Sequence, residues 1–261
     1  MELLGVDFSG ARRAGDNIWL ARAESGDRLR VESCRRLADL ASADRDPALA
    51  ALRDRLRGVE LAGLDVSFGL PRAVHDCGSY RAFLEWFPGA FEDPEAMRAA
   101  CTERAKTVTD GERTFLARQT DEPHGASSPY HWLVASQTFY GVRDVLAPLV
   151  ADGATAVPMT DGTGTKLCEV YPAGTLRALE LPSQRYKNDR DHPDAPERRE
   201  RILAGLPDRV ELADAVREAA LSDPGGDALD SVLAAVAVDR ARREGFPAGE
   251  AYDPVEGRIF V

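Results

Sequence analysis

Lysine is nearly absent from this chain: of 33 basic residues only Lys106, Lys166 and Lys187 are lysine, and the rest are arginine. Against them stand 44 acidic residues, so the formal charge is −11 at pH 7. A polyanion binder normally carries a basic footprint, so non-specific clinging to nucleic acid is excluded and any such contact has to be local. Cysteine is sparse as well. Cys34, Cys77, Cys101 and Cys168 form no Cys-x-x-Cys pair, which removes a zinc site and reads as reduced, buried thiols. No apolar run approaches the roughly 20 residues of a membrane span. With an apolar strand read from residue 2, no secretory leader is expected, and the expectation is a soluble, cytoplasmic protein. No linker divides the 261 residues, so a single domain over 1–261 is expected, long enough to bury a substantial core.

What is present is a series of carboxylates at the ends of apolar runs. Glu2-Leu3-Leu4-Gly5-Val6-Asp7 reads as a strand whose last residue is acidic, followed by the small residues Ser9, Gly10 and Ala11. In open α/β sheets ligands bind beyond the carboxyl ends of the strands, which marks Asp7 and Ser9 as site candidates. Asn17 to Ala23 and Leu29 to Cys34 continue as strands around a Ser-Gly-Asp turn, giving a three-stranded meander. A helix from Pro47 to about Arg57, with Leu49, Leu52 and Leu56 on one face, leads to a second buried strand, Glu60 to Val66, carrying Asp65. Strand, helix and strand make a crossover, so the first and fourth strands should be parallel neighbours with Asp7 and Asp65 on one edge.

Residues 72–150 read as a helical and loop insertion: helices near Tyr80 to Phe87 and Pro94 to Lys106, a polar loop, then a long helix from Pro129 to Val150 with His131 near its start. Arg104, Lys106, Arg113 and Arg143 in this region are candidate contacts for a phosphate. Ala154 to Met159 and Lys166 to Tyr171 read as strands joined by a Gly-rich hairpin, the second bearing Glu169 among apolar neighbours, where a carboxylate needs a cation, a partner or solvent. Lys187 beside Tyr186 offers a further phosphate contact, and Glu211 to Leu221 reads as helical. After Pro224-Gly225-Gly226 a helix opens with Asp227 and Asp230. Two acids in a first turn suit the helix dipole, and residues three apart, roughly 60° around the axis, can also address one point. Gly257 to Val261 reads as a terminal strand.

Asp7, Asp65, Glu169, Asp227 and Asp230 are thus five acids at strand ends, in a strand, or at a helix start. Hard oxygen donors of this kind suit Mg²⁺ or Mn²⁺, and ions so held can activate water for phosphodiester cleavage. Mutual repulsion of such acids predicts that Asp230→Asn leaves the metal-free protein no less stable.

Gly5-Val6-Asp7-Phe8-Ser9-Gly10-Ala11, Asp65-Val66-Ser67-Phe68-Gly69-Leu70-Pro71, Glu169-Val170-Tyr171-Pro172-Ala173, Tyr186-Lys187 and Asp227-Ala228-Leu229-Asp230 resemble, in order, the motifs of domain-of-unknown-function family 429 (DUF429). That family is described as predicted nucleases with a ribonuclease H-like fold. The opening Asp7 and the late Asp-x-x-Asp also resemble RuvC-type resolvases. The resemblance implies an α/β, ribonuclease H-like fold with a mixed central sheet of about five strands and helices on both faces. It implies a metal-dependent nuclease, with Asp7, Asp65 and Asp230 as metal ligands and a nucleic acid or nucleotide as substrate. Two other readings compete: an actin-like kinase or ATPase using Thr160-Asp161-Gly162-Thr163-Gly164-Thr165-Lys166 as a second phosphate turn, and a non-catalytic binding scaffold.

Overall fold

The computed structural model describes residues 1–249 and 252–261. Its centre is β1 (Glu2–Asp7), whose residues from Leu3 to Asp7 are all buried. β2 (Trp19–Ser25) and β3 (Leu29–Arg36) complete the antiparallel meander read from the sequence. The helix Arg45–Arg57 buries Ala48, Leu49, Leu52 and Leu56 and returns the chain to β4 (Leu61–Asp65), which lies parallel to β1. The register sets Asp7 directly beside Asp65.

The sheet is larger than the five strands expected. Among the described residues it has eight: from β5 (Thr155–Val157) at one edge through β6 (Lys166–Val170), β4, β1, β2 and β3 to β7 (Val210–Leu212) at the other, with β8 (Ile259–Phe260) pairing on β6. β5 and β8 fall within segments read as strands, Ala154 to Met159 and Gly257 to Val261; the strand not read from the sequence is β7, three residues long. So few residues show no alternation. β7 occupies the start of the segment read as helix, and the helix itself begins at Asp214.

β5 and β6 are parallel, which corrects the expected hairpin. The glycine-rich connection doubles back along β5: Gly164 N donates to Gly153 O, and Thr155 N donates to Thr165 O, so β6 sets off in the direction β5 took. The long helix expected from Pro129 begins at Ala135 and runs through a π-turn, Val142–Leu146, into Ala147–Ala151. Residues before it form turns because Tyr130 is drawn fully into the core, its hydroxyl accepting from Leu116 N at 2.7 Å.

Helices cover both faces. Leu4, Val6, Leu20, Ala62 and Leu64 pack with the helices drawn from 45–57, 80–90, 94–108 and 135–151. Leu3, Ala21, Ala23 and Leu61 pack on the opposite face against the helix Asp227–Arg243. That helix is buried on nearly every side from Ala228 to Asp239, as an all-round apolar helix must be. It sits unusually close to the sheet. A Cβ on Gly5 would lie 2.2 Å from Ser231 O and 2.4 Å from Ala235 N, and one on Gly63 2.7 Å from Ala234 O. Gly5→Ala should therefore destabilise by about 1–3 kcal/mol or more through overpacking, read as a lower denaturant midpoint; an unchanged midpoint would mean that the helix shifts freely.

Candidate metal centre

The carboxylates converge because of a pattern in the strands. Side chains alternate along a strand, so Asp7 shares its face with Gly5, and Asp65 shares the same face with Gly63. The two glycines clear the path for the last helix, and one turn earlier on that helix Asp230 meets the two strand-end acids. One oxygen from each of Asp7, Asp65 and Asp230 lies within 4.8 Å of the others. Asp7 and Asp230 are buried and Asp65 is half-buried.

Two neighbours complete the cluster. Tyr186, itself buried, donates its hydroxyl to Asp230 Oδ1 at 2.9 Å, and Lys187 Nζ contacts Asp230 Oδ2 and stands 3.6 Å from Asp227 Oδ1. Among the described residues Asp7 and Asp65 have no hydrogen-bond or ion-pair partner for their carboxylates, so these two point into the cluster unspent. Burial, and then the other acids, drive Asp7 well above the usual carboxylate range despite Lys187. The same causes, burial first and Asp230 next, push Asp65 up to about 8. Asp227 and Asp230 are raised mainly by burial, with Lys187 opposing.

A pH dependence follows. An acid whose proton affinity is higher in the folded than in the unfolded chain contributes stability below its unfolded pKa, and that stability is lost as pH rises through the folded value. For Asp65 the window runs from about 4 to about 8. Each tenfold in proton affinity is worth about 1.4 kcal/mol. The metal-free protein should melt at lower temperature at pH 8 than at pH 5, and Asp65→Asn should flatten that slope. Parallel slopes for wild type and variant would contradict it.

A cleft of about 360 Å³ is lined by Asp65, Asp230, Arg185, Lys187, Asn188 and His192. A second, of about 180 Å³, adjoins Asp65 on the side of Glu169 and Gln137. Gln137 ties the two strand ends together, donating to Phe8 O at 2.9 Å and Asp65 O at 2.6 Å.

The other residues singled out from the sequence lie as follows. Glu169 aligns with Leu64, one position out of phase with Asp65, and so faces the opposite side of the sheet. There its carboxylate is held by Arg118, with Nη1 donating at 2.8 Å, and accepts from Phe68 N at 2.9 Å; Asp121 grips the same guanidinium. Burial raises the Glu169 carboxyl and Arg118 opposes the rise. Asp227 flanks the triad without joining it. Ser9 accepts from Ala11 N in a local turn. Arg104 is paired with Asp76, Lys106 with Glu103, and Arg143 with Asp144, while Arg113 is exposed; none of the four lines either cleft. His131 packs against Phe115 with ring centroids 4.9 Å apart and planes tilted by 55°, and lines neither cleft. Sequence reasoning missed Tyr186 as a hydroxyl donor, Gln137 as a strand tie and Arg118 as the partner of Glu169. A repeated Gly-x-Asp, at residues 5–7 and 63–65, was the available signal for the helix approach.

No described helix is long and apolar enough to cross a membrane. No curated protein and no solved structure matches the chain. A family model described as "Protein of unknown function (DUF429)" matches residues 5–252, nearly the whole length, and the chain belongs to that family.

Proposed function

We propose that this protein is a divalent-metal-dependent phosphodiesterase of ribonuclease H-like fold, acting on a nucleic acid or nucleotide. The observation that carries the reading is the convergence of Asp7, Asp65 and Asp230, from three separate elements, to within 4.8 Å at the carboxyl end of the parallel strands. The donor set is all carboxylate, with no His or Cys, which suits Mg²⁺ or Mn²⁺. A meander followed by parallel strands on the free side of β1 supports the ribonuclease H-like assignment.

A bound divalent ion would lower the pKa of a coordinated water and offset charge on phosphoryl oxygens. The protein's own groups orient the reactants. Asp7 and Asp65 hold fixed positions at the strand ends, Tyr186 and Lys187 fix the Asp230 carboxylate, and the cleft cations receive the substrate's anionic oxygens. Water adds its oxygen to phosphorus, the bond to the leaving oxygen breaks, the water's proton passes to a carboxylate and the leaving oxygen takes one from solvent. The products are a phosphomonoester and an alcohol.

The kinase reading is disfavoured by position. The Thr160–Thr165 turn precedes β6, whose first residue pairs with Leu61, so it lies at the amino ends of the parallel strands, opposite the acids. The test is hydrolysis of bis-p-nitrophenyl phosphate and of labelled DNA and RNA with Mn²⁺ or Mg²⁺. Metal-dependent cleavage that Asp7→Asn abolishes is expected; cleavage that persists in Asp7→Asn, or none by wild type, would overturn the reading.

A further inference from the structure

Lys187 Nζ sits against Asp230 Oδ2 and 3.6 Å from Asp227 Oδ1, at the edge of the three-aspartate cluster. We infer that its ammonium group substitutes for a second metal ion, so that the site operates with one divalent cation and Lys187 is a catalytic residue contacting the reacting phosphate. This inference rests on the metal reading above.

Four observations carry it. First, the two oxygens of Asp230 are both committed, Oδ1 to the Tyr186 hydroxyl and Oδ2 to Lys187 Nζ, while the carboxylates of Asp7 and Asp65 have no partner among the described residues. In a two-metal site the ions lie roughly 3.5–4 Å apart and share carboxylates between them. Asp230 thus shares the cluster with the unpartnered carboxylates of Asp7 and Asp65 and is at the same time in contact with the ammonium, which Asp227 flanks. Second, the seat is built for the lysine stem. Gly226, at φ +79 just before the last helix, would with a Cβ come within 2.8 Å of Lys187 Cγ. Third, Arg185 and Asn188, on either side of Tyr186-Lys187, hold φ of 57 and 62, a left-handed backbone that non-glycine residues adopt at a cost and that turns this short segment toward the acids.

The fourth observation is one of composition. In a chain whose basic residues are almost all arginine, the cation at the acid cluster is one of three lysines. A guanidinium is a planar fork, whereas an ammonium is a compact point charge with three donors, the closer mimic of a small ion. The Lys187 side chain is 40 % exposed and lines the cleft, so its charge also reaches the space where a phosphoryl group would lie. During hydrolysis it keeps its proton and forms no covalent bond. Its part is to stabilise negative charge as the phosphorus–oxygen bond to the leaving group breaks.

Metal stoichiometry separates this inference from the reading beneath it. Mn²⁺ binding, followed by isothermal titration and by electron paramagnetic resonance, should give one equivalent per wild-type chain, with no signal from coupled ions. Lys187→Ala should admit a second equivalent beside Asp230 and Asp227 and should lower phosphodiesterase activity about 10²–10³-fold. Lys187→Arg, which keeps the charge and tolerates the same backbone, should bind one equivalent with activity still reduced, so a folding failure in the alanine variant does not leave the question open. Two coupled ions in wild type, or full activity in Lys187→Ala, would overturn the inference while leaving the metal reading intact. No Mn²⁺ binding at all would overturn both.

Discussion

Asp7→Asn is expected to abolish stabilisation by Mn²⁺ and, in the absence of metal, to melt at a higher temperature than wild type. Asp7 is buried, its carboxylate has no hydrogen-bond partner among the described residues, and the charges of Asp230, Asp227 and Asp65 add to the penalty of burial. An isosteric amide removes the charge and leaves the packing. A gain on the order of 1 kcal/mol corresponds to roughly 2–4 °C for a chain of this size, and it should be larger at pH 8 than at pH 5. Wild type, by contrast, should gain about 2.7 kcal/mol when Mn²⁺ exceeds its Kd a hundredfold, a gain the variant forgoes. Asp230→Asn should behave differently. Repulsion alone predicted no loss of stability there, but Asp230 is the partner of both Tyr186 and Lys187, so its neutralisation strands a cation and should lower the metal-free melting temperature. If Asp7→Asn melts lower than wild type and still responds to Mn²⁺, Asp7 is a structural residue.

Arg118→Ala should cost about 3–5 kcal/mol, the range for removing one partner of a buried ion pair. The guanidinium is 1 % exposed, binds Asp121 and Glu169 together, and donates to Glu256 O at 3.1 Å, so its loss leaves two buried carboxylates uncompensated. Because this cluster lies across the sheet from the triad, the Mn²⁺ response of any folded fraction should persist. Glu169→Gln should be milder and should also keep that response. Urea melts of both variants with and without Mn²⁺ decide the matter: loss of the metal effect on either substitution would bring Glu169 into the metal site.

The strands and helices that carry the site were legible because their patterns are long. β1, the crossover helix and β4 each show an unbroken apolar face, and the crossover rule then places Asp7 beside Asp65 without further information. Asp227 and Asp230 were legible as a pair on one helix, but which of them enters the cluster is decided by the helix's height over Gly5 and Gly63, a tertiary quantity. Glu169 was recognised as a buried carboxylate in need of a cation. Its cation is Arg118, 51 residues earlier in a loop without periodicity, where no local pattern points to it. Arg104, Lys106, Arg113 and Arg143 were singled out by nearness in sequence to the acids; the structure pairs Lys106 with Glu103 one helical turn away, Arg143 with Asp144 and Arg104 with Asp76, and leaves Arg113 exposed. The cleft's Arg185 and His192 come from a segment whose balanced charge reads as an ordinary solvated face.

Metal-dependent chemistry at this site requires that the three aspartates hold a cation. Crystals soaked in Mn²⁺ and measured at a wavelength where manganese scatters anomalously would show it directly. One anomalous peak is predicted, at about 2.0–2.2 Å from an oxygen of each of Asp7, Asp65 and Asp230, with Lys187 still seated beside Asp230. The absence of a peak there at saturating Mn²⁺, or a peak held by other residues, would contradict it.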